Sequence, residues 1–300
     1  MVVITFLGSG AAIPSVWRSL PGILVTHEGL NILMDAGEGV QLRLQEVGVS
    51  PLRLTHILIS HLHADHFNGL LGLIATMQLL NRVTQLTIIG PAPIRDWLPD
   101  LPFLNVIELH ESSQERVIIG SEKFEIHYIT AYHNLLDNAY SLLFKKPVGK
   151  FNPRKAKELG VPVHLWRRLH MGESVRVGNR LITPQDVVDN VGNPYIKVVY
   201  TGDTAPGDNV IAISRSADVL IHDSTYLDDM DMNEVHKLGH STCIDAVNDA
   251  VKAGVNLLAL THVSYRYGMD YWNRFMSCAV PRFPRSIVAL NGLKIDLAPS

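Results

Sequence analysis

Residues 59 to 70 of this chain read ISHLHADHFNGL, and this stretch constrains the fold more than any other. His61, His63, Asp65 and His66 fall within six positions. The apolar run before them, 55–60, reads as a buried strand, and the run after them, 67–80, reads as a helix. Packing at a strand-to-helix junction requires no such cluster. Neutral imidazole and carboxylate are good ligands for zinc and similar divalent ions. At spacings of two, two and one, the first two side chains can converge on one point. The next two can face a second point a few ångströms away. The stretch therefore reads as a metal-binding turn that needs further ligands from elsewhere in the chain.

The rest of the sequence supplies candidates for those ligands. Strands are expected at 2–7, 22–26, 31–35, 86–89, 106–109, 115–119, 123–129, 140–144, 196–200, 218–222, 257–261, 286–290 and 293–297. Helices are expected at 37–45, 207–215, 242–253 and 270–279. Segment 145–185 is charged and has few long apolar runs. Strands with intervening helices at both ends, and antiparallel strands between, predict an α/β fold. Its two β-sheets would pack face to face with helices outside. No linker or repeat divides the chain, so one domain over 1–300 is expected, with an insertion at about 145–185. His133, Asp203 and His262 each follow an apolar strand, where open α/β sheets place their sites.

Charge refines the reading of partners. The chain has 300 residues and a formal net charge of −3, so the molecule as a whole does not favour a polyanion. From Lys145 to Arg180, however, there are ten Lys or Arg against Glu158 and Glu173. A patch of that kind holds phosphate backbones. Lys150, Arg154, Lys155, Lys157, Arg167 and Arg168 lie in it and are the candidate substrate contacts. Only Cys243 and Cys278 are present, which implies no disulfide framework. The opening residues MVVITFLGSG carry no basic leader. Apolar runs break well short of the roughly 20 residues a membrane span needs. A cytoplasmic protein with no membrane association, and no DNA partner, is the expectation.

In order, HLHADH, a lone histidine, TGDT and THVS resemble the metallo-β-lactamase fold, an αββα sandwich of two mixed sheets. FLGSGAAIPS at 6–15, DAGEGVQLRL at 35–44, GKFNPRKAKELGVP at 149–162, VYTGDTAP at 199–206 and HSTCIDAV at 240–247 resemble the ribonuclease Z family more narrowly. That family is the short form of the tRNA 3′-processing endonuclease, and the likeness runs over nearly the whole chain.

The resemblance implies a zinc-dependent endoribonuclease that removes the 3′ trailer of precursor tRNA just after the discriminator base, leaving a 3′-hydroxyl. It implies two Zn²⁺ per chain, with Mn²⁺ or another divalent ion as substitute. His61, His63 and His133 would hold one ion, Asp65, His66 and His262 the other, and Asp203 would bridge them. Asp65 would also be the general base. His240 would contact phosphate and give a proton to the leaving 3′ oxygen, with Asp223 as its partner. Asp35 would orient a ligand histidine, and Arg18 would contact substrate. The basic insertion would be an arm that grips the tRNA elbow, and the enzyme would be a homodimer.

Three positions depart from the family pattern. His222-Asp223-Ser224-Thr225 stands for His-Glu-Ala-Thr, Arg18-Ser19 for Arg-Asn, and Val163-His164 for Gly-Pro. The alternative is a metal-dependent phosphodiesterase or arylsulfatase-like hydrolase of small esters, which has no use for a basic arm. An RNA-binding module with a silent metal site is a third reading. Every inferred ligand position is filled, which argues against it.

Overall fold

The computed structural model describes residues 1–298. Two seven-stranded mixed sheets lie face to face. In spatial order the first holds Lys294–Leu297, Val2–Gly8, Gly22–His27, Leu30–Met34, His56–Leu58, Leu86–Pro91 and Leu104–Leu109. The second holds Ser286–Val288, Leu258–Thr261, Val219–Asp223, Tyr195–Tyr200, Asn138–Lys145, Phe124–Thr130 and Arg116–Gly120. The expected α/β sandwich is what forms.

Strand periodicity divides the side chains between layers. In Gly22–His27, Ile23 and Val25 enter the layer between the sheets, while Leu24 turns outward. The inner layer joins Ile4, Phe6, Ile32 and Met34 of one sheet to Tyr140, Leu142, Phe144 and Val198 of the other. Helices Val40–Glu46 and Ala64–Leu79 cover the first sheet's outer face. Leu70, Leu73, Ile74 and Met77 recur at helical spacing and are fully buried there. Each such side chain contributes about 1.5–3 kcal/mol. Asp208–Ser214, Cys243–Ala253 and Tyr271–Ala279 cover the second sheet.

Parallel pairing then gathers the strand ends that matter. His56–Leu58 runs parallel to Leu30–Met34 and Leu86–Pro91. Val219–Asp223 runs parallel to Tyr195–Tyr200 and Leu258–Thr261. Their C-terminal ends, with that of Phe124–Thr130, share one edge of the sandwich.

Two local differences from the sequence reading have clear causes. The helix expected at 67–80 begins at Ala64, with His63 extended as its N-cap (φ −66°, ψ 148°). Asp65 and His66 therefore belong to its first turn, where the helix dipole favours a carboxylate. The insertion is more ordered than its charge suggested. Lys150–Phe151 pairs with Val188–Asp189, and Val175–Val177 with Arg180–Ile182. Short helices at Pro153–Glu158, Trp166–His170 and Pro184–Val187 complete it. Val148, Ala156, Val161, Leu169, Ile182 and Val187 form a core of their own. Each short element contributes only one or two apolar residues, so no run was long enough to read.

Candidate metal centre

Two pockets of ligand atoms meet at the gathered strand ends. In the first, His63 Nδ1 lies 2.9 Å from His61 Nε2 and 3.2 Å from His133 Nε2, and Asp203 Oδ2 lies 3.7 Å from His61 Nε2. In the second, His262 Nε2 lies 3.1 Å from His66 Nε2 and 3.3 Å from Asp65 Oδ2. Asp203 faces both, with Oδ1 3.3 Å from His66 Nε2 and Oδ2 3.3 Å from His262 Nε2. All the metal ligands expected from the sequence are thus brought together, in two groups that share Asp203.

The backbone makes this possible at specific points. Gly202, before the shared aspartate, is left-handed (φ 64°), and a Cβ there would sit 2.3 Å from an Asp137 carboxylate oxygen. Only glycine lets Asp203 reach the cleft. Gly69, one turn into the helix, would place a Cβ 2.0 Å from Gly37 O. That close approach lets Ala36 N–H donate to His66 O at 2.8 Å and fixes the helix start. His262 itself is left-handed (φ 57°), a strained conformation that persists because the surrounding site imposes it.

Behind the ligands, fixed partners hold each ring. His66 Nδ1 lies 2.7 Å from Asp35 Oδ2. Asp35 also accepts from Ser60 N–H, Ser60 Oγ and Tyr200 Oη at 2.6–2.8 Å. His61 Nδ1 lies 2.7 Å from Asp137 Oδ2, and His133 Nδ1 lies 2.8 Å from Gly239 O. Thr225 Oγ1 gives its proton to Asp223 Oδ1 at 2.6 Å, so at 2.8 Å it accepts from His262 Nδ1. These bonds leave His61, His66, His133 and His262 presenting Nε2 to the pockets, the arrangement expected behind metal-bound histidines. Asp35 was expected in this role. Asp137, Thr225 and the Gly239 carbonyl were not.

The charge of the donor set fits a cation. Asp35, Asp65, Asp137, Asp203 and Asp223 are all buried here. Buried carboxylates are costly without a compensating positive charge. Among the described residues Asp203 Oδ1 has no hydrogen-bond partner, although it is shielded from solvent. Burial alone would depress His66, but Asp203 and Asp35 outweigh it and push His66 well above its ordinary range. Burial would likewise raise Asp203 and Asp65. Nearby imidazoles, His262 and His66 chief among them, hold both carboxylates well below the usual range. Burial, with Asp203 and Asp35, drives Asp137 upward, and burial drives His61 downward. Positive charge at His61 Nε2 favours the form in which Nδ1–H donates to the Asp137 carboxylate. The residues present therefore suit divalent metal.

His240 stands beside both pockets. Its ring stacks on His262 (centroids 5.4 Å apart, 20° between planes) and meets His133 edge-on at 5.2 Å. Nδ1 lies 2.9 Å from Asp223 Oδ2, which leaves Nε2 for a substrate. Burial opposes protonation, yet Asp223 prevails and raises His240 to about 9. The shorter carboxylate of this chain does reach the ring.

Arg18, expected at the substrate, has a buried guanidinium. It donates to the carbonyls of Val263, Ser264 and Tyr267 at 2.6–3.1 Å and lies over the Tyr271 ring. It ties the loop before it to the strand after His262. In the insertion, Lys155 pairs with Asp189 and Arg168 with Glu173, both at the surface. Lys150, Arg154, Lys157 and Arg167 lie on the same segment.

The sandwich and its two pockets sharing one aspartate define a metal-dependent hydrolase of the metallo-β-lactamase class. The metallo-β-lactamase fold protein YhfI of Bacillus subtilis superposes with a TM-score of 0.70 at 21% identity, covering 98% of each chain. A family model described as Anti-Pycsar protein Apyc1 matches residues 2–100, the part that carries HLHADH. Ribonuclease Z of Methanosarcina mazei is 36% identical over 277 residues, covering 90% of this chain and 90% of that one. Human tRNase Z short form, ELAC1, has a TM-score of 0.69 at 25% identity, covering 99% of this chain and 100% of that one. The chain belongs to the ribonuclease Z family.

Proposed function

We propose that the protein is a zinc-dependent endoribonuclease that removes the 3′ trailer of precursor tRNA and holds two Zn²⁺ per chain. The observation that carries this reading is Asp203, one carboxylate shared by two histidine-rich pockets, with the His240–Asp223 pair alongside. His61, His63 and His133 would hold one ion and Asp65, His66 and His262 the other, with Asp203 between. Bound there, divalent cations would polarise a phosphodiester and make water a competent nucleophile near neutral pH.

The chain's own residues do the rest. Asp65, held as an anion and anchored by Ala12 N–H at 2.7 Å, accepts the proton of the attacking water. Asp223 fixes the His240 tautomer through Nδ1. The Nε2–H of protonated His240 then goes to the leaving 3′ oxygen, a general-acid contribution of about 10²- to 10⁴-fold. Lys150, Arg154, Lys157 and Arg167, with Lys155 and Arg168, give the insertion a positive surface that suits the tRNA phosphate backbone. Recognition of a folded RNA by such a surface is through shape rather than sequence.

A homodimer is supported by exposed apolar residues such as Leu42 and Leu80, which line one surface cavity. No helix among the described residues is long and apolar enough to cross a membrane. We place the enzyme in the cytoplasm, with precursor tRNA rather than DNA as its partner.

The test compares two substrates: a 3′-extended precursor tRNA and bis(p-nitrophenyl) phosphate. Catalytic efficiency should be greater on the RNA by orders of magnitude, with the cut after the discriminator base. Comparable efficiencies would favour the small-ester hydrolase instead.

A further inference from the structure

One side of the cleft carries an aromatic surface that the chemistry above does not use. Ile13, Pro14, Trp17, Tyr265, Met269 and Tyr271 line a cavity of about 290 Å³. Trp17 and Tyr265 are each 60% exposed, although tryptophan is highly buried on average and tyrosine intermediate. The two loops that bear them are built rather than loose. Gly10–Ala11 pairs in parallel with Val263–Ser264, and Arg18 clamps the carbonyls of Val263, Ser264 and Tyr267 from below.

Both loops also start at the metal centre. Ala12 N–H donates to Asp65 Oδ2, and Val263 directly follows His262. The aromatic cavity therefore lies on the two loops that leave the metal pockets. Bases inside a duplex are stacked on both faces and offer none to such a cavity. Unpaired bases offer a π-face each and stack on exposed Trp and Tyr without regard to sequence.

We infer that Trp17 and Tyr265 form a stacking platform for an unpaired nucleobase next to the scissile phosphate. The inference rests on the ribonuclease reading above and deepens it. The platform positions single-stranded RNA at the cut and makes cleavage tolerant of the base found there. It also explains the rigid use of Arg18: the guanidinium holds the loop that presents Trp17.

The experiment uses the full chain and three precursor tRNAs. One is intact, one has a single abasic residue at the discriminator position, and one has it at the first trailer position. Wild-type enzyme should show a KM about 5- to 100-fold higher on one of the two abasic substrates. Trp17→Ala should raise KM to a similar extent on the intact substrate and change it less than about 2-fold on that abasic one. Trp17→Phe, which keeps a stacking ring, should recover most of the loss. Metal content and hydrolysis of methyl p-nitrophenyl phosphate should stay unchanged, since neither residue touches the ligands. Equal losses for Trp17→Ala on intact and abasic RNA would overturn the platform, as would no loss on either. Wild-type enzyme that cuts no precursor tRNA would overturn the ribonuclease reading, and the platform with it.

Discussion

Asp35 Oδ2 lies 2.7 Å from His66 Nδ1, and Asp35 is itself held in the left-handed region (φ 58°). The carboxylate accepts from four donors, all buried. It therefore fixes the His66 ring and links the inner sheet layer, through Tyr200, to the second metal pocket. Asn tolerates the left-handed backbone, so Asp35→Asn changes the chemistry without adding strain. Its amide cannot satisfy four donors as a carboxylate does. Divalent-ion affinity should fall about 10- to 100-fold, measured by chelator competition, while the fold persists. Unchanged affinity would show that His66 is oriented by packing alone.

The shared position of Asp203 predicts a different outcome. Asp203→Ala should leave both histidine groups in place but remove the group that faces both. Turnover should fall by several orders of magnitude with the circular dichroism spectrum unchanged. Elemental analysis should find two ions per wild-type chain and fewer in the variant. Fully active wild-type protein with one ion or none would reject a binuclear site.

The ion pairs of the insertion divide its cations. Lys155 and Arg168 are engaged with Asp189 and Glu173, so their alanine variants should matter little. Lys150, Arg154, Lys157 and Arg167 should matter more. Changing all four to Ala should weaken precursor-tRNA binding strongly and reduce the salt slope by about 0.7–0.9 per lost phosphate contact. Hydrolysis of bis(p-nitrophenyl) phosphate should be unaffected. Equal losses on both substrates would assign the segment a structural role.

Much of this was legible in the chain because metal ligands are few in kind and cluster locally. HLHADH declares itself, and His133, Asp203 and His262 follow recognisable strands. Asp137 escaped because a single acid in LLDNAY looks like a turn residue. Its partner, His61, is distant in sequence and becomes adjacent only when the two sheets stack. Thr225 and the Gly239 carbonyl escaped because their partners, His262 and His133, are 37 and 106 residues away in sequence. The carbonyls that Arg18 holds were hidden because sequence gives a charge but not the direction in which it points. The order of the insertion was hidden by the shortness of its elements, whose small core forms only after all of them assemble.

The His240–Asp223 pair gives the sharpest test. A protonated His240 is present below its folded pKa, raised to about 9, and is lost as pH rises through that value. Activity that needs its proton should therefore fall on the alkaline side. Asp223→Asn removes the charge that raises His240, so this limb should move toward the ordinary histidine value near 6.5. Divalent cations nearby shift both profiles downward in the same sense, so the difference between the two is the quantity to read. His240→Ala should cost about 10²- to 10⁴-fold in turnover with metal content unchanged. Once His240 is gone, Asp223→Ala should cost little more; independent losses would refute the coupling. Asp223→Glu would restore the family's longer side chain, but the site has closed around the shorter one. Asp223 is fully buried and accepts from Thr204 N–H, Thr225 N–H and Thr225 Oγ1 at 2.6–3.1 Å, besides its contact with His240. An added methylene there should cost about 1–3 kcal/mol of stability through overpacking. It should also displace the His240 ring, so Asp223→Glu should cleave precursor tRNA more slowly than wild type. Faster cleavage would mean that Asp223 is a handicap rather than an adapted partner.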